Sequence, residues 1–69
     1  MKNLRLRVSE NLRKLRLKCG ITQEKLAETA HIDYKYLQRL EGKTPPALKV
    51  DTIGKLAKAL KVRPEGLLK

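Results

Sequence analysis

The stretch GITQEKLAETAHIDYKYLQRLEG, at positions 20–42, decides the fold because its two halves share one construction. Each half contains an isoleucine, a capping residue and a leucine, which are Ile21, Thr22 and Leu26 in the first and Ile32, Asp33 and Leu37 in the second. Thr and Asp cap helix N-termini, and an apolar residue before the cap packs against the fourth helical residue. The stretch therefore predicts a helix from about Gln23 to Ala30, a tight turn, and a second helix from Tyr34 to about Glu41.

Before this stretch, apolar residues recur at steps of three and four, which predicts one amphipathic helix that ends at Gly20. The apolar stripe consists of Leu4, Val8, Leu12, Leu15 and Cys19. Leu6 and Leu17 fall on the opposite side, where they are either scattered surface residues or part of a contact with another chain.

After the stretch, Gly42 and the Lys43-Thr44-Pro45-Pro46 segment predict a loop, since proline lacks the N–H donor that a helix needs. Helical spacing then returns in Val50, Ile53, Leu56, Ala57 and Leu60. Pro64 can open a last short helix that carries Leu67 and Leu68. The sequence predicts an all-α fold and one domain over residues 1–69.

Composition favours a polyanionic partner. Lys and Arg number 17 against 7 Asp and Glu, so the net charge is +10. No apolar run approaches the roughly 20 residues of a membrane span, and the N-terminus has no secretory core. We expect a cytoplasmic protein in which Cys19 stays a thiol. One Cys and one His offer no metal or cofactor site, so self-association is the remaining way to stabilise so small a core.

The second helix of the stretch carries a polar face. Leu37 and Leu40 set its inward direction at about 100° per residue. The side chains that point outward or lie at the borders are Lys35, Gln38, Arg39, Tyr34 and Tyr36. Arg can pair with guanine, Gln with adenine, and Lys with guanine or a phosphate. On an arbitrary helix, such a face is more often only solvated.

The surrounding pattern decides between these two interpretations. Residues Leu12 to Leu60 resemble the Xre-type helix-turn-helix family, which includes the phage Cro and repressor proteins. The matching pieces are positions 12–16, 20–27, 37–42 and 55–60, and their order and spacing make the match specific. The resemblance implies a five-helix, lambda-repressor-like fold with the helix-turn-helix at about 22–41. It also implies a bacterial or phage transcription regulator that binds double-stranded DNA as a two-fold dimer.

The resemblance also assigns roles to individual positions. The residues expected to read bases are Tyr34, Lys35, Gln38 and Arg39, and those expected to contact the DNA backbone are Thr22, Gln23, Tyr36 and Lys43. Arg16 and Glu41 match a pair that ties the first helix to the end of the recognition helix. Gln23 is also placed to brace Tyr34. Three contacts are open to the Tyr34 side chain: it donates to a phosphate, packs on a thymine methyl group, or only covers the Gln23 side chain.

Two features depart from the family pattern. His31 occupies a turn position where relatives usually carry Gly, so we expect His31 to adopt a left-handed conformation. Glu41 and Gly42 are adjacent, whereas many relatives have one residue between them, and Pro45-Pro46-Ala47 lengthens the loop. Lys43 is therefore expected to reach a different phosphate from the one that alignment with the family implies.

The main alternative keeps the fold and changes the role to an antitoxin or partner-binding module. Such a module would contact a protein through Leu6, Leu17, Leu67 or Leu68. The sequence has no aromatic platform of the kind that binds RNA, and no outward face of large apolar residues that would bind a membrane surface. It also has no set of reactive groups that would indicate catalysis.

For the regulator, the expected dimer contact is Val62, Leu67 and Leu68. The cations expected to neutralise phosphates are Lys2, Arg5, Arg7, Lys25, Lys43 and Lys49.

Overall fold

The computed structural model describes residues 3–69, and this part of the chain is helical without strands. The helices are α1 (Leu4–Cys19), α2 (Gln23–Ala30), α3 (Tyr34–Leu40), α4 (Val50–Leu60) and α5 (Glu65–Leu68). This confirms the predicted all-α, five-helix fold. Across residues 3–69, no helix combines the length and the apolar character that crossing a bilayer would require. Lys2 lies outside the described residues.

Local side-chain caps fix where the two central helices begin. Thr22 Oγ1 accepts a hydrogen bond from Lys25 N at 3.0 Å, and Asp33 Oδ2 accepts one from Tyr36 N at 3.1 Å. Helix α2 ends at Ala30 and is capped by His31, which has a φ of 57° and a ψ of 45°. The expected left-handed conformation of His31 is thus confirmed, and it turns the chain from α2 into α3.

One apolar core joins the five helices. Its buried members are Val8, Leu12, Leu26, Ala27, Ala30, Leu37, Leu40, Leu56, Ala57, Leu60 and Leu67. Helix α2 packs against both α3 and α4, and α5 packs across α1. Because the inward residues of α3 are buried in this shared core, the opposite face of α3 is held toward solvent.

The apolar stripes predicted for α1 and α4 include residues at the helix ends that are exposed in the structure. Leu4 is 58% exposed, Val50 is 82% exposed, and Cys19 is also exposed. Helix α1 has 16 residues and is therefore about 24 Å long. Its buried apolar residues are Val8 and Leu12, Leu15 is half-buried against the core, and the two ends of the stripe are exposed. Val50 is the first residue of α4.

The expected dimer contact is wrong at Leu67. Its side chain is 0% exposed and belongs to the core, because the short helix α5 folds back across α1. Asn11 Nδ2 strengthens this contact by donating to the Leu67 carbonyl oxygen at 2.9 Å. Leu68, its neighbour, is 39% exposed, and Val62 is half-buried against the core. A contact with a second chain in this region can use Leu68 but not Leu67.

Candidate nucleic-acid interface

The outward face of α3 opens onto a concave surface. Lys35, Gln38 and Arg39 are exposed there and line an open hollow of about 820 Å³, here called the α3 hollow. Its remaining lining residues are Asp33, Gly42, Lys43 and Thr44. The structure therefore brings three of the four expected base readers together with Lys43.

Tyr34, the fourth expected base reader, is paired with a neighbour one turn along α3. Gln38 Nε2 donates to the Tyr34 hydroxyl oxygen at 3.1 Å, and Tyr34 is 39% exposed. This (i, i+4) contact fixes the two side chains relative to each other at the start of the exposed face.

Beneath the exposed face, a buried carboxylate joins three parts of the fold. Glu41 is only 4% exposed and is held by Arg16, whose Nε lies 2.8 Å from Oε2 and whose Nη2 lies 3.1 Å from Oε1. Arg16 Nη1 also donates to the Ile21 carbonyl oxygen at 2.8 Å. A carboxylate can be buried when donors surround it, and here those donors fix the end of α3 against α1 and the turn before α2.

Gln23 completes this arrangement in a way that the sequence did not predict. Its Nε2 donates to Glu41 Oε1 at 3.2 Å, so the hydrogen bond that the structure gives Gln23 leads to Glu41 and not to Tyr34. Thr22 directly precedes it, and the Thr22 hydroxyl caps α2. The start of α2 and the end of α3 are consequently tied through one carboxylate. No spacing rule relates positions 23 and 41, so only the fold reveals this bond.

Tyr36 and Lys43 differ in their burial. Tyr36 is half-buried, and its hydroxyl donates to the Ala47 carbonyl oxygen at 3.4 Å, which ties α3 to the loop before α4. Lys43 is exposed at the start of that loop. The loop start is in turn held by Ser9, whose Oγ donates to the Gly42 carbonyl oxygen at 3.1 Å. Sequence reasoning missed Ser9, a buried polar residue directly beside Val8 on the α1 stripe.

The charge of the α3 hollow is positive. It contains Lys35, Arg39 and Lys43 against one carboxylate, Asp33, which caps α3. The whole chain carries a net charge of +10, so the charge of the α3 hollow has the same sign as the charge of the chain, and both favour the approach of an anion. Elsewhere, one of the cations expected to meet phosphates, Lys25, has an exposed partner in Glu28, with Nζ 3.3 Å from Oε1.

Comparison with a model of helix-turn-helix sequences matches residues 12–67, which is most of the chain. The chain belongs to the helix-turn-helix family. The match covers α2, α3 and the Arg16–Glu41 pair, so the family's characteristic unit coincides with the elements that form the α3 hollow. No curated protein sequence matches the chain significantly.

The chain is similar to solved structures of controller proteins and of a hypothetical transcription factor. The restriction-modification controller protein C.AhdI from Aeromonas hydrophila is 32% identical, with a TM-score of 0.85, over 91% of this chain and 94% of that one. A hypothetical transcription factor, NHTF from Neisseria, is 34% identical, with a TM-score of 0.88, over 94% and 72%. C.Esp1396I, solved bound to a 19 base pair DNA duplex, is 29% identical, with a TM-score of 0.86, over 96% and 87%.

Proposed function

We propose that this protein is a transcription regulator that binds specific sites in double-stranded DNA with α3 in the major groove. The observation that carries the proposal is the α3 hollow, where Lys35, Gln38 and Arg39 are exposed beside Lys43 on a helix of seven residues. A short, exposed, cationic helix supported by a second helix is how helix-turn-helix proteins reach base edges. Similarity to a protein solved with a DNA duplex supports the same role.

Within this proposal, the side chains divide by chemistry. Arg39 and Lys35 are the proposed guanine readers, and Gln38 contacts bases or backbone together with Tyr34. The residues proposed to position the DNA backbone are Thr22, Gln23, Tyr36 and Lys43. Arg16 and Glu41 do not contact DNA in this account, because their contribution is to hold α2 and α3 in register.

The proposed regulator acts as a homodimer. One recognition helix of about two turns reads only a few base pairs, which is too little to define a site in a genome. Two-fold pairing presents two such helices to major-groove faces about 34 Å apart, so the site is expected to be an inverted repeat with half-sites one helical turn apart. The proposed role is binding and not catalysis, and it is exercised in the cytoplasm, where bacterial DNA is found.

Selection of bound duplexes from a random DNA library tests the proposal. We expect enrichment of one inverted repeat, and we expect Lys35→Ala with Arg39→Ala to abolish enrichment while helicity is retained. A variant at Lys14, an exposed cation on α1 that lies outside the α3 hollow, is the matched control. Failure of the wild-type protein to enrich any sequence would contradict the proposal. Co-purification of a second protein in that case would favour the antitoxin or partner-binding role.

A further inference from the structure

A second, smaller hollow lies next to the α3 hollow and shares Gly42 and Lys43 with it. It has a volume of about 250 Å³, and its other lining residues are Leu6, Ser9, Glu10, Arg13 and Glu41. It is therefore bounded by α1 on one side and by the end of α3 on the other. The shared residues mean that a DNA strand running along the rim of the α3 hollow would pass this second hollow.

Arg13 is the cation that α1 contributes to the second hollow. Its Nη1 donates to the Glu41 carbonyl oxygen at 3.4 Å, and that carbonyl lies just past the C-terminal end of α3. The carbonyl groups at a helix C-terminus attract a guanidinium, so this contact holds Arg13 at the edge of the groove-reading helix. The neighbouring bond from Ser9 to Gly42 keeps α1 and the loop start together. Arg13 and Lys43 consequently line one surface while belonging to distant parts of the chain.

We propose that Arg13 and Lys43 together bind one backbone phosphate of the DNA, next to the bases that α3 reads. This inference rests on the proposed function and adds Arg13, which neither the sequence pattern nor the resemblance assigned to DNA. A guanidinium has five N–H donors, and only one makes the bond to Glu41, so a fork of donors can meet phosphate oxygens while Lys43 supplies a point charge. Glu10 also lines the hollow, which therefore contains two cations and two carboxylates, one of them the Glu41 carboxylate that Arg16 holds.

Binding measurements with Arg13→Ala and Lys14→Ala test this inference. Lys14 is the matched control because it is exposed, adjacent in α1, identical in charge, and outside both hollows. We expect Arg13→Ala to weaken binding to a selected duplex and to an unrelated duplex alike, by about 5- to 10-fold near physiological salt. The slope of log affinity against log salt should become shallower by about 1. Lys14→Ala should change the affinity by less than about 2-fold.

A duplex with an uncharged methylphosphonate at one position at a time locates the phosphate. The wild-type protein should lose affinity at each contacted phosphate, and at one of these positions in each half-site Arg13→Ala and Lys43→Ala should both lose less affinity than the wild-type protein does. If Arg13→Ala loses helicity, Arg13→Gln replaces it, because the glutamine amide can still donate to the Glu41 carbonyl.

Two negative results are distinguishable. If the wild-type protein prefers its selected duplex but Arg13→Ala behaves like Lys14→Ala in affinity and salt slope, the inference about Arg13 is wrong and the proposed function stands. If the wild-type protein shows no preference for any duplex, the proposed function itself fails.

Discussion

Replacement of Arg16 by Ala tests whether the buried Glu41 carboxylate holds the two central helices together. The substitution removes both guanidinium contacts to Glu41, at 2.8 and 3.1 Å, and the bond to the Ile21 carbonyl at 2.8 Å. Gln23 Nε2, at 3.2 Å, still contacts a carboxylate whose side chain is only 2% exposed. Removing one partner of a buried ion pair costs about 3–5 kcal/mol, because a charge remains buried without adequate compensation.

This loss is large compared with the free energy of unfolding of a domain of this size. A domain of 69 residues is typically stable by about 3–10 kcal/mol, so Arg16→Ala should leave a marginally folded protein. Arg16→Lys keeps the charge but cannot reproduce the fork of contacts, so an intermediate loss is expected. Glu41→Gln should cost less than Arg16→Ala, because the Arg16 side chain is 12% exposed and can turn toward water.

Urea unfolding followed by circular dichroism measures these losses, at one fixed protein concentration because pairing of chains would add to the apparent stability. A loss below about 1 kcal/mol for Arg16→Ala, without a change in the dependence on urea, would refute the reasoning. It would mean that the pair behaves like an exposed ion pair and that α2 and α3 are held in register by the apolar core alone.

Four further results are expected. Affinity for DNA should fall steeply with salt, with a log–log slope near −5 if about six phosphates are contacted, and a slope near zero would remove the electrostatic part of the account. Arg39→Ala should cost about 1–3 kcal/mol on the selected site and flatten the preference at one base pair, whereas Lys43→Ala should weaken all duplexes alike; equal losses of Arg39→Ala on selected and random DNA would contradict its role. Leu68→Lys should weaken cooperative binding to the full inverted repeat but not binding to a half-site, whereas Leu17→Lys, near the C-terminal end of α1, should weaken neither. Equal effects of the two substitutions would argue against a dimer contact in the C-terminal region. His31→Gly should raise the free energy of unfolding by about 0.5–1 kcal/mol, because the φ of 57° suits glycine, and a lower melting temperature would count against that explanation.

Much of the fold is encoded locally, which is why the sequence predicted it. The caps at Thr22 and Asp33 act within three residues of themselves, so the starts of α2 and α3 follow from neighbouring positions alone. The left-handed conformation of His31 is equally local, because a tight turn between two short helices needs it.

The errors arise where distant parts of the chain meet. Periodicity assigns Leu67 to a helix but cannot show that the helix crosses α1 and buries it. The same limit applies to Val50, whose spacing matches the apolar stripe although its side chain, at the first residue of α4, is 82% exposed. Among the site residues, the outward side chains of α3 follow from helical geometry, whereas the Gln23 bond to Glu41 and the Arg13 contact to the same residue require the tertiary structure.

The central claim is that Arg39, Lys35 and Gln38 read base edges in the major groove. The most direct measurement places a 7-deazapurine at each purine of the selected site in turn, which removes the N7 acceptor from the major groove only. We expect a loss of wild-type affinity at one or more positions in each half-site, and we expect Arg39→Ala to be indifferent at one of those positions. If no 7-deazapurine weakens wild-type binding, or if every one weakens Arg39→Ala to the same extent as the wild-type protein, α3 does not read the groove as described here.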